Sequence, residues 1–86
     1  MPAFTATVIV RLKDGVLDPE ATTTRRALER LDYSVEDLRR ADRFELDFSA
    51  ESADDAEARA LEMTERLLAN PTIHDYDVRI TERVAS

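Results

Sequence analysis

The stretch Val35-Glu36-Asp37-Leu38-Arg39-Arg40-Ala41-Asp42-Arg43-Phe44-Glu45-Leu46-Asp47-Phe48 decides how many strands the fold has. Leu38, Phe44, Leu46 and Phe48 share a parity, with Arg40 and Asp42 between them. In a two-residue hairpin centred on Ala41-Asp42, Leu38 would lie opposite Glu45, while Phe44 and Leu46 faced the other way. That arrangement conflicts with burying all four apolar side chains on one face. One long, bent strand keeps them together, and so does a hairpin with a three-residue loop. The long strand is the expected form. Its polar middle could extend beyond the sheet of its own chain.

The preceding chain alternates strand and helix. From Phe4 to Leu12, Phe4, Ala6, Val8, Val10 and Leu12 fall on one face and Thr5, Thr7 and Arg11 on the other, with Ile9 the apolar exception. Such alternation with β-branched residues reads as a half-buried strand. It stops at Lys13-Asp14-Gly15, the only glycine of the chain, placed where a turn calls for a positive φ. Asp18 is a suitable N-cap, Pro19 fits the first helical position and Glu20 suits the helix dipole. A helix over Pro19–Leu31 would turn the stripe Leu17, Ala21, Thr24, Leu28 and Leu31 toward a sheet.

A second helix starts at Ser52, with Asp55 three residues on in the manner of a capping box. Ala53, Ala56, Ala60, Met63 and Leu67 form its core line, widened by Leu61, Thr64 and Leu68. Asn70-Pro71 should end it, asparagine being tolerated in a left-handed cap. The last strand, Ile73 to Val84, places Tyr76, Val78, Ile80 and Val84 on one face. Neither a linker nor a repeat interrupts this order, so residues 1–86 read as one domain. The expected fold is α+β: a small two-layer sandwich, with an antiparallel sheet of three long strands (four if the middle segment is a hairpin) and both helices on one sheet face.

Composition narrows the function. Among 86 residues, 19 acids face 12 bases, a net charge of −7. That balance disfavours general binding to a phosphate backbone. There is no cysteine, which removes thiol chemistry, disulfides and thiolate metal sites. No apolar run approaches the roughly 18 residues of a membrane span, and the N-terminus lacks a signal-peptide layout. A cytoplasmic protein that binds neither nucleic acid nor membrane is expected. A domain this small buries only about 60% of its unfolded surface, so without a disulfide or metal it should need a partner chain.

The search for catalytic chemistry yields little. His74 is the single histidine, and strand alternation separates it from Asp75 and Asp77. It reads as an exposed polar residue after a turn. Asp54 and Asp55 point about 100° apart on a helix and are explained by the dipole. Glu51 to Glu65 holds six acids and one arginine, a solvated helix face that could also meet a basic partner. Arg39, Arg40 and Arg43 form the opposing basic cluster. In a strand, Arg39 and Arg43 would share a face and Arg40 take the other, which suits salt bridges between subunits better than a phosphate site. Candidate subunit-interface residues are therefore Arg39, Arg40, Arg43, Asp75 and Tyr76. Catalytic, cofactor-binding and metal-binding residues are expected to be absent.

Two further stretches carry a resemblance: Lys13-Asp14-Gly15-Val16-Leu17-Asp18-Pro19-Glu20, and Arg66-Leu67-Leu68-Ala69-Asn70-Pro71-Thr72-Ile73-His74-Asp75-Tyr76. With Val35-Glu36-Asp37-Leu38-Arg39 and Phe44-Glu45-Leu46 between them, the chain resembles the PurS family, the small subunit of bacterial phosphoribosylformylglycinamidine (FGAM) synthase. The resemblance implies a non-catalytic subunit of purine biosynthesis, acting as a homodimer or homotetramer. It would bring together a glutaminase subunit and a large synthetase subunit, the latter binding ATP and magnesium, and support ammonia passage between them. Ala21 stands where the family often has glycine, Ala41-Asp42 where it often has Gly-Lys, and His74 where it usually has glutamate. The alternative is a regulatory module of the ACT type, whose turn Asp14-Gly15-Val16-Leu17 partly imitates; Asp18-Pro19 supplies a fresh helix cap that such modules do not need.

Overall fold

A computed structural model describes residues 1–83. Strand β1 (Ala3–Leu12) is followed by α1 (Pro19–Arg30), β2 (Ala41–Ser49), α2 (Ala53–Met63) and β3 (His74–Arg83). The three strands form an antiparallel sheet in the order β2-β1-β3. Val84, expected on the last strand, lies outside the described residues.

The alternation in β1 works as expected. Phe4, Ala6, Val8 and Val10 are buried, and their cross-strand partners are apolar over most of the ladder. Val8 sits between Phe44 and Val78, and Ala6 between Leu46 and Ile80. On α2, Ala56 and Ala60 are fully buried, and Ala56 clusters with Phe4 and Ala50. Alanines let the helix axis approach the sheet closely, which is what gives the Phe4 ring its cover.

Helix α2 ends differently from its periodicity. Over Thr64–Leu68 it widens into a π turn, in which the Ala69 N–H donates to the Thr64 carbonyl at 2.8 Å. Thr64 is fully buried and its Oγ1 donates to the Ala60 carbonyl at 2.8 Å. The extra residue per turn moves the buried line from Thr64 directly to Ala69. Leu67, expected on the core line, is thereby turned out and is 85% exposed. Asn70 does not take the left-handed cap either; among the described non-glycine residues only Asp32 has a positive φ. Instead the Asn70 carbonyl accepts the N–H groups of Ile73 and His74, and its side chain accepts that of Thr72.

The middle strand is shorter than expected. It begins at Ala41, opposite Arg11, and residues 35–40 form neither strand nor hairpin. Continuing the register would set Leu38 opposite Asp14, but β1 has already left the sheet through the turn at Gly15, whose φ is +85°. A strand without a ladder partner has nothing to hold it. The sheet therefore has three strands.

Helix α1 also departs from expectation: it packs closely on neither the sheet nor α2. Ala21 is buried and Leu28 half-buried, yet Leu17 is 88% and Leu31 67% exposed. Helix α2 covers that face over β3 and β1, and α1 does not fold down beside it. With the returning residues 31–40, α1 forms an arm, and the chain measures 52 Å along its longest axis. Its radius of gyration is 16.9 Å, against about 12 Å for a compact domain of this length. The arm turns at a Schellman motif, with Tyr33 N–H donating to the Leu28 carbonyl and Asp32 N–H to that of Glu29. Asp32 holds the left-handed position at φ 69°, a site that favours glycine, and its charge opposes the helix dipole. Asp32→Gly should therefore stabilise the chain by about 1 kcal/mol; thermal unfolding at an unchanged or lower Tm would contradict this.

Candidate functional site

Both helix starts are built as their sequences indicate. Asp18 Oδ1 accepts the Ala21 N–H at 3.1 Å, and Ser52 Oγ accepts the Asp55 N–H at 3.1 Å. Asp55 reaches back to the Glu51 N–H and also accepts from Arg59. The Ala21 N–H, and then Arg40, hold the Asp18 carboxyl below the usual 3.8. The Glu51 N–H, and then Arg59, do the same for Asp55. Carboxylates held below their unfolded value stabilise the fold above that value and cease to do so as pH falls through the folded one. Stability should thus decline from about pH 4 downward, and Asp18→Asn with Asp55→Asn, which retains caps that do not titrate, should flatten that decline. Superimposable acid-unfolding curves would show that these two groups do not control it.

Arg40 ties the returning leg of the arm to the start of α1. Its Nε donates to Asp18 Oδ2 at 3.1 Å and its Nη1 lies 3.0 Å from Glu20 Oε2. The arginine expected between subunits is thus engaged within its own chain, and it stands in the arm rather than in a strand. Arg39, also in the arm, is 83% exposed at its side chain and lies 3.4 Å from Asp37. Arg43 is in β2 and contacts Glu45 on the same strand at 2.9 Å. Asp75 and Tyr76 are adjacent on β3 and so face opposite sides. Asp75 lies opposite Arg11, but the Arg11 guanidinium turns to Asp77 at 2.6 Å. Tyr76 packs with Val8 and Val10 on the helix-covered face. Burial, and next the carboxylate of Glu65, raise its hydroxyl above the ordinary value. The five residues therefore do not form one patch: three lie along the arm and the start of β2, and two at the start of β3.

His74 is engaged rather than idle. Its Nδ1 accepts the Asn70 N–H at 2.9 Å, closing the turn into β3. Sequence reading missed this because an Asn-x-x-x-His spacing has no strand or helix period. Among the described residues, no group of three or more His, Cys, Asp or Glu side chains is placed to hold a metal ion. An open cleft at the base of the arm is lined by both signs of charge, including Arg11, Lys13, Asp14, Asp18, Arg39 and Asp75. The prominent exposed feature is apolar: Leu17, Leu31 and Tyr33 on the arm and Leu67 at the end of α2. Two sheet edges, β2 and β3, are also free. These features suit contact with other chains.

The family model for PurS, described as phosphoribosylformylglycinamidine (FGAM) synthase, matches residues 5–82. The chain belongs to the PurS family. The PurS subunit of Methanothermobacter thermautotrophicus FGAM synthase is 46% identical over 79 residues, covering 92% of this chain and 94% of the relative. That of Bacillus subtilis is 40% identical over 80 residues, covering 91% and 93%. A solved PurS subunit of FGAM synthetase superposes with a TM-score of 0.85 at 45% identity, over 90% of this chain and 92% of the other. A chain of the PurLQS structure from Thermotoga maritima superposes with a TM-score of 0.84 at 32% identity, over 94% and 100%. The PurS assignment also displaces the ACT alternative.

Proposed function

We propose that the chain is the small, non-catalytic subunit of an FGAM synthase in purine biosynthesis, an ATP- and glutamine-dependent carbon–nitrogen ligase. It joins a glutaminase subunit to a synthetase subunit and supports ammonia transfer between them. ATP and magnesium are held by the synthetase, and this chain contributes no cofactor ligand. The working form is a homodimer or homotetramer in the cytoplasm, with Arg39, Arg43, Asp75 and Tyr76 at subunit contacts.

The observation that carries this reading, beside family membership, is surplus surface. The chain exposes 6659 Å², whereas a compact monomer of its mass would expose about 5200 Å². The excess, about 1500 Å², is more than the roughly 800 Å² each partner gives to a standard interface. A protein built to catalyse alone gains nothing from such an arm. A protein built to hold others together needs it. The relative in the PurLQS structure is named with two further subunits, which supports the same reading.

Mixing the purified chain with the synthetase and glutaminase subunits of a PurS-dependent enzyme tests it. Light scattering should show a complex containing all three. A synthetase and glutaminase that associate equally well without this chain would contradict the bridging role.

A further inference from the structure

We propose that Leu67 and Ile73 dock into an apolar pocket rimmed by lysine or arginine on a heterologous subunit of the complex. This rests on the bridging reading above and names one of its contact surfaces. An uninterrupted α2 would bury Leu67, which follows Ala53, Ala56, Ala60 and Met63 on the core line. The π turn over Thr64–Leu68 instead leaves it 85% exposed. Such widened turns are rare and recur at functional positions. A leucine held in water costs stability, which burial in a partner's pocket recovers.

Ile73 is 36% exposed and stands across the turn that leads into β3. That turn is held from several sides. The Asn70 carbonyl accepts the N–H groups of Ile73 and His74, and the Asn70 N–H donates to His74 Nδ1. The Lys13 N–H donates to the Ile73 carbonyl, tying the turn to the end of β1. Both apolar side chains are thus presented on fixed backbone, which lowers the ordering cost of docking.

Charge defines the partner. Glu51, Asp54, Glu57 and Glu65 are exposed along α2 and its flanks and make no ion pair among the described residues. Asp55 and Glu62 are matched, by Arg59 and Arg66. Helix α2 therefore presents unopposed negative charge up to the turn that carries Leu67, with Glu65 two residues before it. A two-fold contact through this face would set these carboxylates against the same carboxylates of a second copy. Like charges brought together are penalised, whereas a rim of lysine or arginine complements them. The occupant is accordingly a different, basic surface.

The unaltered chain and Leu67→Gln should be titrated by calorimetry against the synthetase and glutaminase subunits of a PurS-dependent enzyme, separately and mixed. Leu67 is exposed and glutamine is a good helix former, so the variant should keep the Tm and the light-scattering mass of the unaltered chain. Its affinity for the partner should fall about tenfold or more. Glu57→Lys, on the charged face, should slow association several-fold and weaken its salt dependence. Leu67→Gln binding as tightly as the unaltered chain would overturn this inference and leave the bridging role standing. A smaller mass for Leu67→Gln alone would assign the surface to a second copy and overturn it too. An unaltered chain that binds neither subunit, nor the mixture, would overturn the bridging role itself.

Discussion

Phe4→Ala is expected to destabilise the chain by about 3–5 kcal/mol, the usual cost of removing a buried aromatic ring. Phe4 is 2% exposed and lies against Ala50 and Ala56. Its fully buried neighbours are alanines, which cannot reach into the vacated volume, so only Phe48 and Ile80 at the edge of the cluster can relax toward it. A domain of this length has a total stability of roughly 4–13 kcal/mol. The variant should therefore unfold at a much lower urea midpoint and be recovered poorly at 37 °C. A loss below about 1 kcal/mol would mean that the sheet and α2 are not held together at this ring.

Where local chemistry is self-sufficient, the sequence was legible. The alternation of β1, the caps at Asp18 and Ser52 and the positive φ at Gly15 each depend on a few neighbouring residues, and all stand as read. The failures share a different cause. Leu38 has the parity of Phe44, Leu46 and Phe48, yet whether it joins their strand depends on where β1 stops, which is not written in residues 35–48. The stripe on α1 is apolar, but periodicity does not say whose surface covers it. Helix α2 takes the β1 and β3 side of the sheet, and α1 projects as an arm instead of covering the rest. Leu67 was misplaced because a π turn leaves no mark in a 3.6-residue pattern. Of the candidate interface residues, the type was informative and the grouping was not. Arg40 is drawn to Asp18 and Glu20 across the fold, a contact 22 residues away in sequence.

Membership of the PurS family and the projecting arm fit a subunit whose value is positional. Holding a glutaminase beside a synthetase raises the effective concentration of ammonia at the second site without altering the chemistry at either. That distinction can be measured. Amidine formation should be followed in the reconstituted three-subunit enzyme and with this chain omitted, first with glutamine and then with ammonium salt as nitrogen donor. Omission is expected to lower the glutamine-supported rate about tenfold or more while leaving the ammonium-supported rate essentially unchanged. Equal losses with both donors, or no loss with either, would contradict a role in joining the two sites.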